Sequence, residues 1–254
     1  MTKIFFLAVL LATFTCIPLA AAQTAPPDAA PAPAVLKADV ALNVLFVGNS
    51  YTYYNNLSAI VAAFAAAAPS ANKLLPKDHT MGGATLEKIW DLRTTRDVLA
   101  LQKWDFVVLQ EHSYWPISSP ERMYEAARKF DLAGKSIGAK TILFLTWARQ
   151  ASPSEQPLLN AAYTSSATQL GALIAPVGPA WQIARALDPQ LSLYVNDGRH
   201  PSATGSYIAA CTLFLVISGS QQPCPPITHA AVSADQASTG RTAALQAVTA
   251  WRKL

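Results

Sequence analysis

Three polar residues, Ser50, Asp197 and His200, have the types and the spacing that acyl transfer needs. Such a site needs a nucleophile, a base within hydrogen-bond reach of it, and an acid that orients the base. Asp197 and His200 lie three residues apart in a turn closed by Pro201, so the carboxylate and the imidazole can emerge on the same side of one short loop. We therefore predict that Ser50 is the nucleophile, His200 the base and Asp197 the orienting acid.

Ser50 follows a segment with the features of a buried strand. Four apolar residues, 44–47, run directly into Gly48-Asn49-Ser50. A short apolar run bounded by a turn signal is typical of a buried strand in a parallel sheet. Ligands of open α/β sheets bind beyond the carboxyl ends of such strands, so Ser50 lies where chemistry is expected.

Each of these features also has a purely structural interpretation. A Gly-x-Ser after a strand is often only a turn, and the glycine pair at residues 82–83 is often only a loop. An Asp-x-x-His before Pro-Ser is also typical of a helix start with Ser202 as the cap. All three features together, in this order along the chain, favour a catalytic site.

The chain from residue 41 onwards alternates strand-like and helix-like segments, which predicts an α/β fold. This order implies βαβ units and a parallel sheet of about five strands, covered by helices on both faces in a three-layer α/β/α sandwich. The predicted strands are 43–47, 74–79 (the weakest), 106–109, 141–145 and 173–177. The predicted helices are 57–68, 85–101, 121–137, 155–170, 180–187, 201–218 and 237–251.

Two segments, FVGNSYT and DGRHPSATGSY, resemble the SGNH (GDSL-type) hydrolases, a superfamily of serine esterases and acyl hydrolases. The first family block, Gly-Asp-Ser or Gly-Asn-Ser at the end of the first strand, is matched by Gly48-Asn49-Ser50. The last block, Asp-x-x-His, is matched by residues 197–200. The resemblance covers roughly residues 41–218, and it implies a flavodoxin-like strand order and a Ser-His-Asp triad.

The resemblance also implies an oxyanion hole, which we assign to Ser50, Gly83 and Gln110. The second family block is a glycine whose N–H faces the oxyanion, and Gly83 or Gly82 matches it by position. The third block usually holds an Asn that donates to the oxyanion, but here the third strand runs into QEHS. Gln110 carries the same amide one methylene further out and is predicted to replace the Asn. The alternative is a structural amide at the strand end.

Three residues after predicted strand ends are candidate substrate contacts: His112, Trp115 and Trp147. His112 could also compete with His200 as the base, but no acid has the spacing from it that Asp197 has from His200. The two tryptophans could stack on a sugar, or they could pack helices onto the sheet. No cluster has metal-ligand spacing and no Gly-rich phosphate loop occurs, so no cofactor or metal is predicted.

The first residues predict export. Lys3, the apolar segment 4–12 and three alanines ending at Ala22 are typical of a secretory signal peptide of residues 1–22, cleaved after Ala22. The apolar segment is shorter than the roughly 20 residues that a membrane span needs. A secreted or periplasmic protein without stable membrane insertion is therefore predicted.

Composition and charge indicate how the rest of the chain is organised and which partners it lacks. Residues 23–40 are predicted to be a Pro/Ala-rich linker, and 41–254 a single catalytic domain. Without residues 1–22 the chain has 18 basic and 15 acidic side chains and no basic cluster, so no nucleic acid partner is predicted. Cys211 and Cys224 are expected to form a disulfide or to remain free thiols.

These features predict hydrolysis of a small-molecule or carbohydrate ester through an acyl-enzyme. Export and the lack of a long apolar lid favour a small acyl group, such as acetyl, on a carbohydrate. Two alternatives remain: an O-acetyltransferase that uses the same triad, and a non-catalytic carbohydrate-binding member of the fold.

Overall fold

The computed structural model describes residues 40–69 and 71–253. The predicted signal peptide, 1–22, lies outside the described residues. The predicted linker, 23–40, does so as well, except for its last residue.

A sheet of five parallel strands forms the centre of the described domain, in the order β2-β1-β3-β4-β5. This confirms the predicted parallel sheet and its flavodoxin-like order. The strands are β1 (Ala41–Gly48), β2 (Lys73–Thr80), β3 (Phe106–Leu109), β4 (Lys140–Leu145) and β5 (Leu173–Pro176).

Helices cover both faces of the sheet, as predicted. On one face lie α2, α8, α9 and α10, and on the other lie α3, α4, α6 and α7. The helices are α1 (Ser50–Tyr53), α2 (Leu57–Ala67), α3 (Leu86–Asp91), α4 (Arg93–Ala100), α5 (Trp115–Ser118), α6 (Pro120–Ser136), α7 (Gln156–Leu170), α8 (Val177–Leu187), α9 (Ala203–Ser218) and α10 (Ala234–Trp251).

The side chains of β1 point alternately to the two faces of the sheet, and both faces are buried. Val44 and Phe46 pack into the core on one face, and Leu45 and Val47 pack into the core on the other. All four are fully buried. A parallel strand that is covered on both faces needs apolar residues at every position. Pairing with β2 on one side and β3 on the other holds the site-bearing end of β1 inside the sheet.

The predicted helix over residues 85–101 is instead two helices, α3 and α4. Leu92 between them has an extended backbone, with φ −67° and ψ 133°. The fully buried Thr95 hydroxyl donates to the carbonyl of Ile89 across this break. A buried hydroxyl needs such a partner, and this bond favours the break over a continuous helix.

Cys211 of α9 and Cys224 of the loop after it form a disulfide, which decides between the two alternatives above. The bond fastens the loop to a helix whose residues are nearly all buried. Among the described residues, no helix has both the length and the apolar character needed to cross a membrane.

Candidate active site

Ser50, His200 and Asp197 form a chain of hydrogen bonds at the carboxyl edge of the sheet. β1 ends at Gly48, Asn49 follows it, and Ser50 is the first residue of α1. Its Oγ lies 2.8 Å from Nε2 of His200, and Nδ1 of the same ring lies 2.5 Å from Oδ2 of Asp197. The His200 side chain is 26% exposed, so a bound substrate can reach it. The structure thus brings the predicted nucleophile, base and orienting acid together.

The Asp197 carboxylate is held by the backbone of its own loop. Its Oδ1 accepts hydrogen bonds from the N–H groups of Arg199 at 2.8 Å and His200 at 2.9 Å. Partial desolvation acts to raise the pKa of Asp197, but the hydrogen bonds from His200 and from the backbone outweigh it and lower the pKa to about 2. Because Asp197 is ionised, it favours the His200 tautomer with the proton on Nδ1, which leaves Nε2 free to accept the Ser50 proton.

The glycine turn at residues 82–83 lies beside the nucleophile. Asn49, which precedes Ser50, donates from its side chain to the carbonyl of Ala84 at 2.9 Å and so joins the two turns. Gly83 has φ +65°, in the left-handed region that favours glycine. The structure therefore brings the predicted Gly83 position close to the nucleophile turn.

The structure corrects the prediction for Gln110. Its side chain is fully buried, and its Oε1 accepts from the Asn49 N–H at 2.8 Å and from the Thr52 hydroxyl at 2.9 Å. Its Nε2 donates to the carbonyl of Glu111. A Cβ on Gly48 would lie 2.6 Å from Gln110 Oε1, so glycine is needed for this close approach. Gln110 is the structural amide of the alternative interpretation, because its amide is already bound to the backbone of the nucleophile turn.

Glu111 is a buried acid that sequence reasoning did not select for the site. Only 1% of it is exposed, and its Oε1 accepts from the N–H groups of Leu86 at 3.1 Å and His112 at 2.5 Å. Burial raises the pKa of Glu111 to about 7, although these two hydrogen bonds act to lower it. Through its two hydrogen bonds, the Glu111 carboxyl group connects the start of α3, next to the glycine turn, to the segment after β3.

His112 lies half-buried beyond the end of β3. Burial, Arg149 and Lys88 all lower the pKa of His112, so the imidazole is neutral at neutral pH. Its Nδ1 accepts a long hydrogen bond of 3.4 Å from the Tyr114 N–H, which leaves the ring proton on Nε2. His112 can therefore act as a hydrogen-bond donor without carrying charge.

The structure also corrects the prediction for Trp147 as a substrate contact. Only 1% of its surface is exposed, because its ring is stacked between Trp181 at 4.0 Å and Tyr51 at 4.6 Å. Its Nε1 donates to the carbonyl of Arg199 at 2.9 Å, so it supports the loop that carries His200. No ring face of Trp147 is available to a sugar.

Trp115, the other predicted tryptophan contact, stays a prediction. It is half-buried at the start of α5, and the Arg122 guanidinium lies 4.4 Å from the centre of its ring. Among the described residues, no group of three or more His, Cys, Asp or Glu side chains is arranged to hold a metal.

Comparison with known proteins agrees with the fold. No protein-family model matches the chain, and no curated protein matches it. Among solved structures, a candidate SGNH hydrolase from Slackia heliotrinireducens is 29% identical, with a TM-score of 0.58 over 70% of this chain and 100% of that one.

Two further solved structures share the fold at lower identity. A DUF4886 family protein from Bacteroides uniformis is 20% identical, with a TM-score of 0.68 over 83% of this chain and 95% of that one. An acetylxylan esterase from Geobacillus stearothermophilus is 16% identical, with a TM-score of 0.57 over 71% of this chain and 96% of that one. The chain therefore has the fold of the SGNH hydrolases, and its similarity to these hydrolases and esterases supports an enzyme of the ester-hydrolase type.

Proposed function

We propose that this protein is a secreted or periplasmic serine esterase that hydrolyses esters of small acyl groups, such as acetyl, on carbohydrate. The observation that carries the proposal is the chain of hydrogen bonds from Ser50 through His200 to Asp197. It has the geometry that activates a serine hydroxyl for attack on an acyl carbon.

The reaction proceeds through an acyl-serine. Ser50 Oγ attacks the ester carbonyl carbon while His200 Nε2 takes the hydroxyl proton, and the resulting intermediate expels the alcohol, which takes that proton from His200. Water then attacks the acyl group with His200 as base, which releases the carboxylic acid and restores Ser50. Asp197 remains ionised and stabilises the imidazolium in both steps.

The oxyanion that forms in each step needs hydrogen-bond donors. The backbone N–H groups of Ser50 and Gly83 are two of them in this proposal. Because the amide of Gln110 is bound elsewhere, we assign the third donor to Nε2 of His112, which carries the ring proton. A neutral imidazole can donate this bond without exchanging its proton with the oxyanion.

Two exposed aromatic residues support a carbohydrate as the alcohol part of the ester. Tyr53 follows Ser50 within α1, and Tyr114 lies two residues after His112; each is 42% exposed. Exposed aromatic rings offer faces on which sugars stack. The acetylxylan esterase of the same fold makes acetylated polysaccharides the first substrates to test.

Export is supported by two independent features. The pattern of residues 1–22 is that of a signal peptide, and disulfides such as Cys211–Cys224 persist in oxidising compartments.

The test is an activity screen of the wild-type protein and Ser50→Ala on acetylated polysaccharides and on p-nitrophenyl esters of graded chain length. We expect hydrolysis that is fastest for acetyl esters and absent in Ser50→Ala. An organophosphonate probe should label the wild-type protein at Ser50; an unlabelled protein with no hydrolysis would instead indicate a binding protein. Product analysis with a sugar acceptor separates the transferase, which would yield acetylated acceptor instead of free acetate.

A further inference from the structure

Asn55 and Asn56 adopt an unusual backbone conformation just beyond Tyr54, the residue that follows α1. Their φ angles are +52° and +56°, and no other non-glycine residue among 40–69 and 71–253 has a positive φ. Two consecutive left-handed residues are disfavoured unless surrounding contacts hold them. The side-chain hydrogen bonds of Asn55 lead to the residues just after His200 and to the first turn of α9.

The Asn55 side chain spans from the nucleophile segment to the residues that follow His200. Its Nδ2 donates to the carbonyls of Pro201 and Ser202, each at 3.1 Å, and to the hydroxyl of Ser206 at 2.9 Å. Two amide hydrogens are thus shared among three acceptors. Asn56 has the same backbone conformation, but its side chain caps nothing at the start of α2.

Tyr54 contacts the imidazole itself. Its ring lies nearly parallel to that of His200, with centroids 4.5 Å apart and planes 17° apart. Tyr51 meets the same imidazole edge-on, at 5.6 Å and 78°. The His200 ring therefore has an aromatic neighbour against its face and another that meets it edge-on.

We propose that Tyr54 and Asn55 are positioning residues that hold the His200 imidazole at hydrogen-bond distance from Ser50. Hydrogen bonds join the two segments at two points. One runs from the Asn55 side chain to the carbonyl of Pro201, the residue after His200, and the other joins His200 Nε2 and Ser50 Oγ. Asp197 holds the ring from its other nitrogen and Trp147 supports the loop before it, so the Asn55 contacts are the ones that fasten the loop to the Ser50 segment. The inference rests on the proposed function, since it assigns these residues to the same triad.

The central variant is Asn55→Asp. Aspartate has the same size and tolerates the left-handed region, but it donates no hydrogen bond and places a carboxylate against two carbonyl oxygens. Asn56→Asp is the matched control, because it adds the same charge one residue away in the same conformation. We expect Asn55→Asp to lower kcat at least tenfold with KM changed less than threefold, and Asn56→Asp to keep kcat within twofold.

Two further variants separate positioning from folding. Asn55→Gly relieves the left-handed conformation while it removes the amide, so its Tm should be maintained while kcat falls. Tyr54→Phe keeps the stacked ring and should retain kcat, whereas Tyr54→Leu should lower it several-fold. An Asn55→Asp or Asn55→Gly protein that is folded and keeps wild-type kcat would overturn the proposal, as would a loss that Asn56→Asp shares.

The rate of Ser50 labelling by an organophosphonate probe distinguishes this proposal from the proposed function. Labelling reports activation of Ser50 by His200 and needs no ester substrate. If the wild-type protein is labelled but hydrolyses no ester, the esterase function fails, and slower labelling of Asn55→Asp still supports positioning. If the wild-type protein is neither labelled nor active, both proposals fail.

Discussion

The carboxyl ends of β1 and β3 are neighbours in the sheet, yet Ser50 after the first has the opposite environment from Gln110 and Glu111 after the second. After β1, the half-buried Ser50 directs its hydroxyl to another side chain, that of His200. After β3, Gln110 and Glu111 are 0% and 1% exposed, and their side chains bind backbone groups. Ser50 is accessible, whereas Gln110 and Glu111 hold the backbone around it.

Burial explains this difference. A buried amide or carboxyl group without a partner is costly, so residues enclosed after β3 bind the nearest free N–H and C=O groups. A half-buried hydroxyl does not carry this cost, because water or a substrate can reach it. A polar residue after a buried strand is therefore a site candidate only if its side chain remains accessible.

The largest effect should come from the accessible end. We expect Ser50→Ala and His200→Ala each to lower kcat by at least about 1,000-fold, because the members of a triad act as a unit. Both variants should keep the wild-type Tm and circular dichroism spectrum, since neither side chain is part of the core. Turnover in Ser50→Ala close to that of the wild type would remove the nucleophile assignment.

Gln110→Ala should instead act mainly on stability. The change leaves the Asn49 N–H without its acceptor and creates a cavity, so unfolding should cost about 3 kcal/mol less, measured by urea denaturation. His112→Ala is the comparison variant: its Tm should change little, while kcat falls roughly 10- to 100-fold and KM stays similar if it is an oxyanion donor.

The reverse pattern would exchange these two roles. A Gln110→Ala protein of normal stability with a hundredfold lower kcat would return the oxyanion role to Gln110. A His112→Ala protein with unchanged kcat would remove His112 from the oxyanion hole.

Glu111→Gln should have an effect that appears only as pH rises. Burial raises the pKa of Glu111 from 4.5 to about 7, so the folded state prefers the protonated form. This preference adds to the free energy of unfolding. The contribution of Glu111 is fully present below pH 4.5 and is lost as pH rises through about 7. The loss amounts to ~3 kcal/mol at most, and an uncharged glutamine does not undergo it.

The measurement is the free energy of unfolding at pH 5 and pH 8 for the wild type and Glu111→Gln. The variant should gain stability relative to the wild type between the two pH values. Glu87→Gln is the matched control, because Glu87 lies near the surface in an ion pair with Arg122. Equal pH dependence in the wild type and Glu111→Gln would show that Glu111 stays ionised in the folded protein.

The sequence predicted those parts of the fold that local patterns specify. The strand over 106–109 has its predicted bounds, and that over 43–47 differs by one or two residues, because a short apolar run between turn signals has few other structures available. The prediction of one continuous helix over 85–101 was wrong, since the break at Leu92 depends on a buried hydrogen bond of Thr95. No local pattern reports that bond.

For the site, the sequence by itself determined the partnership of Asp197 with His200, because a three-residue spacing in one turn makes their contact local. Only the tertiary structure decided what depends on distant segments. Ser50 meets His200 across 150 residues of sequence, and Gln110 and Trp147 are buried against residues of other segments. The type of a residue determines which hydrogen bonds its side chain can make. Packing decides which partners lie within reach and whether water can take the place of those partners.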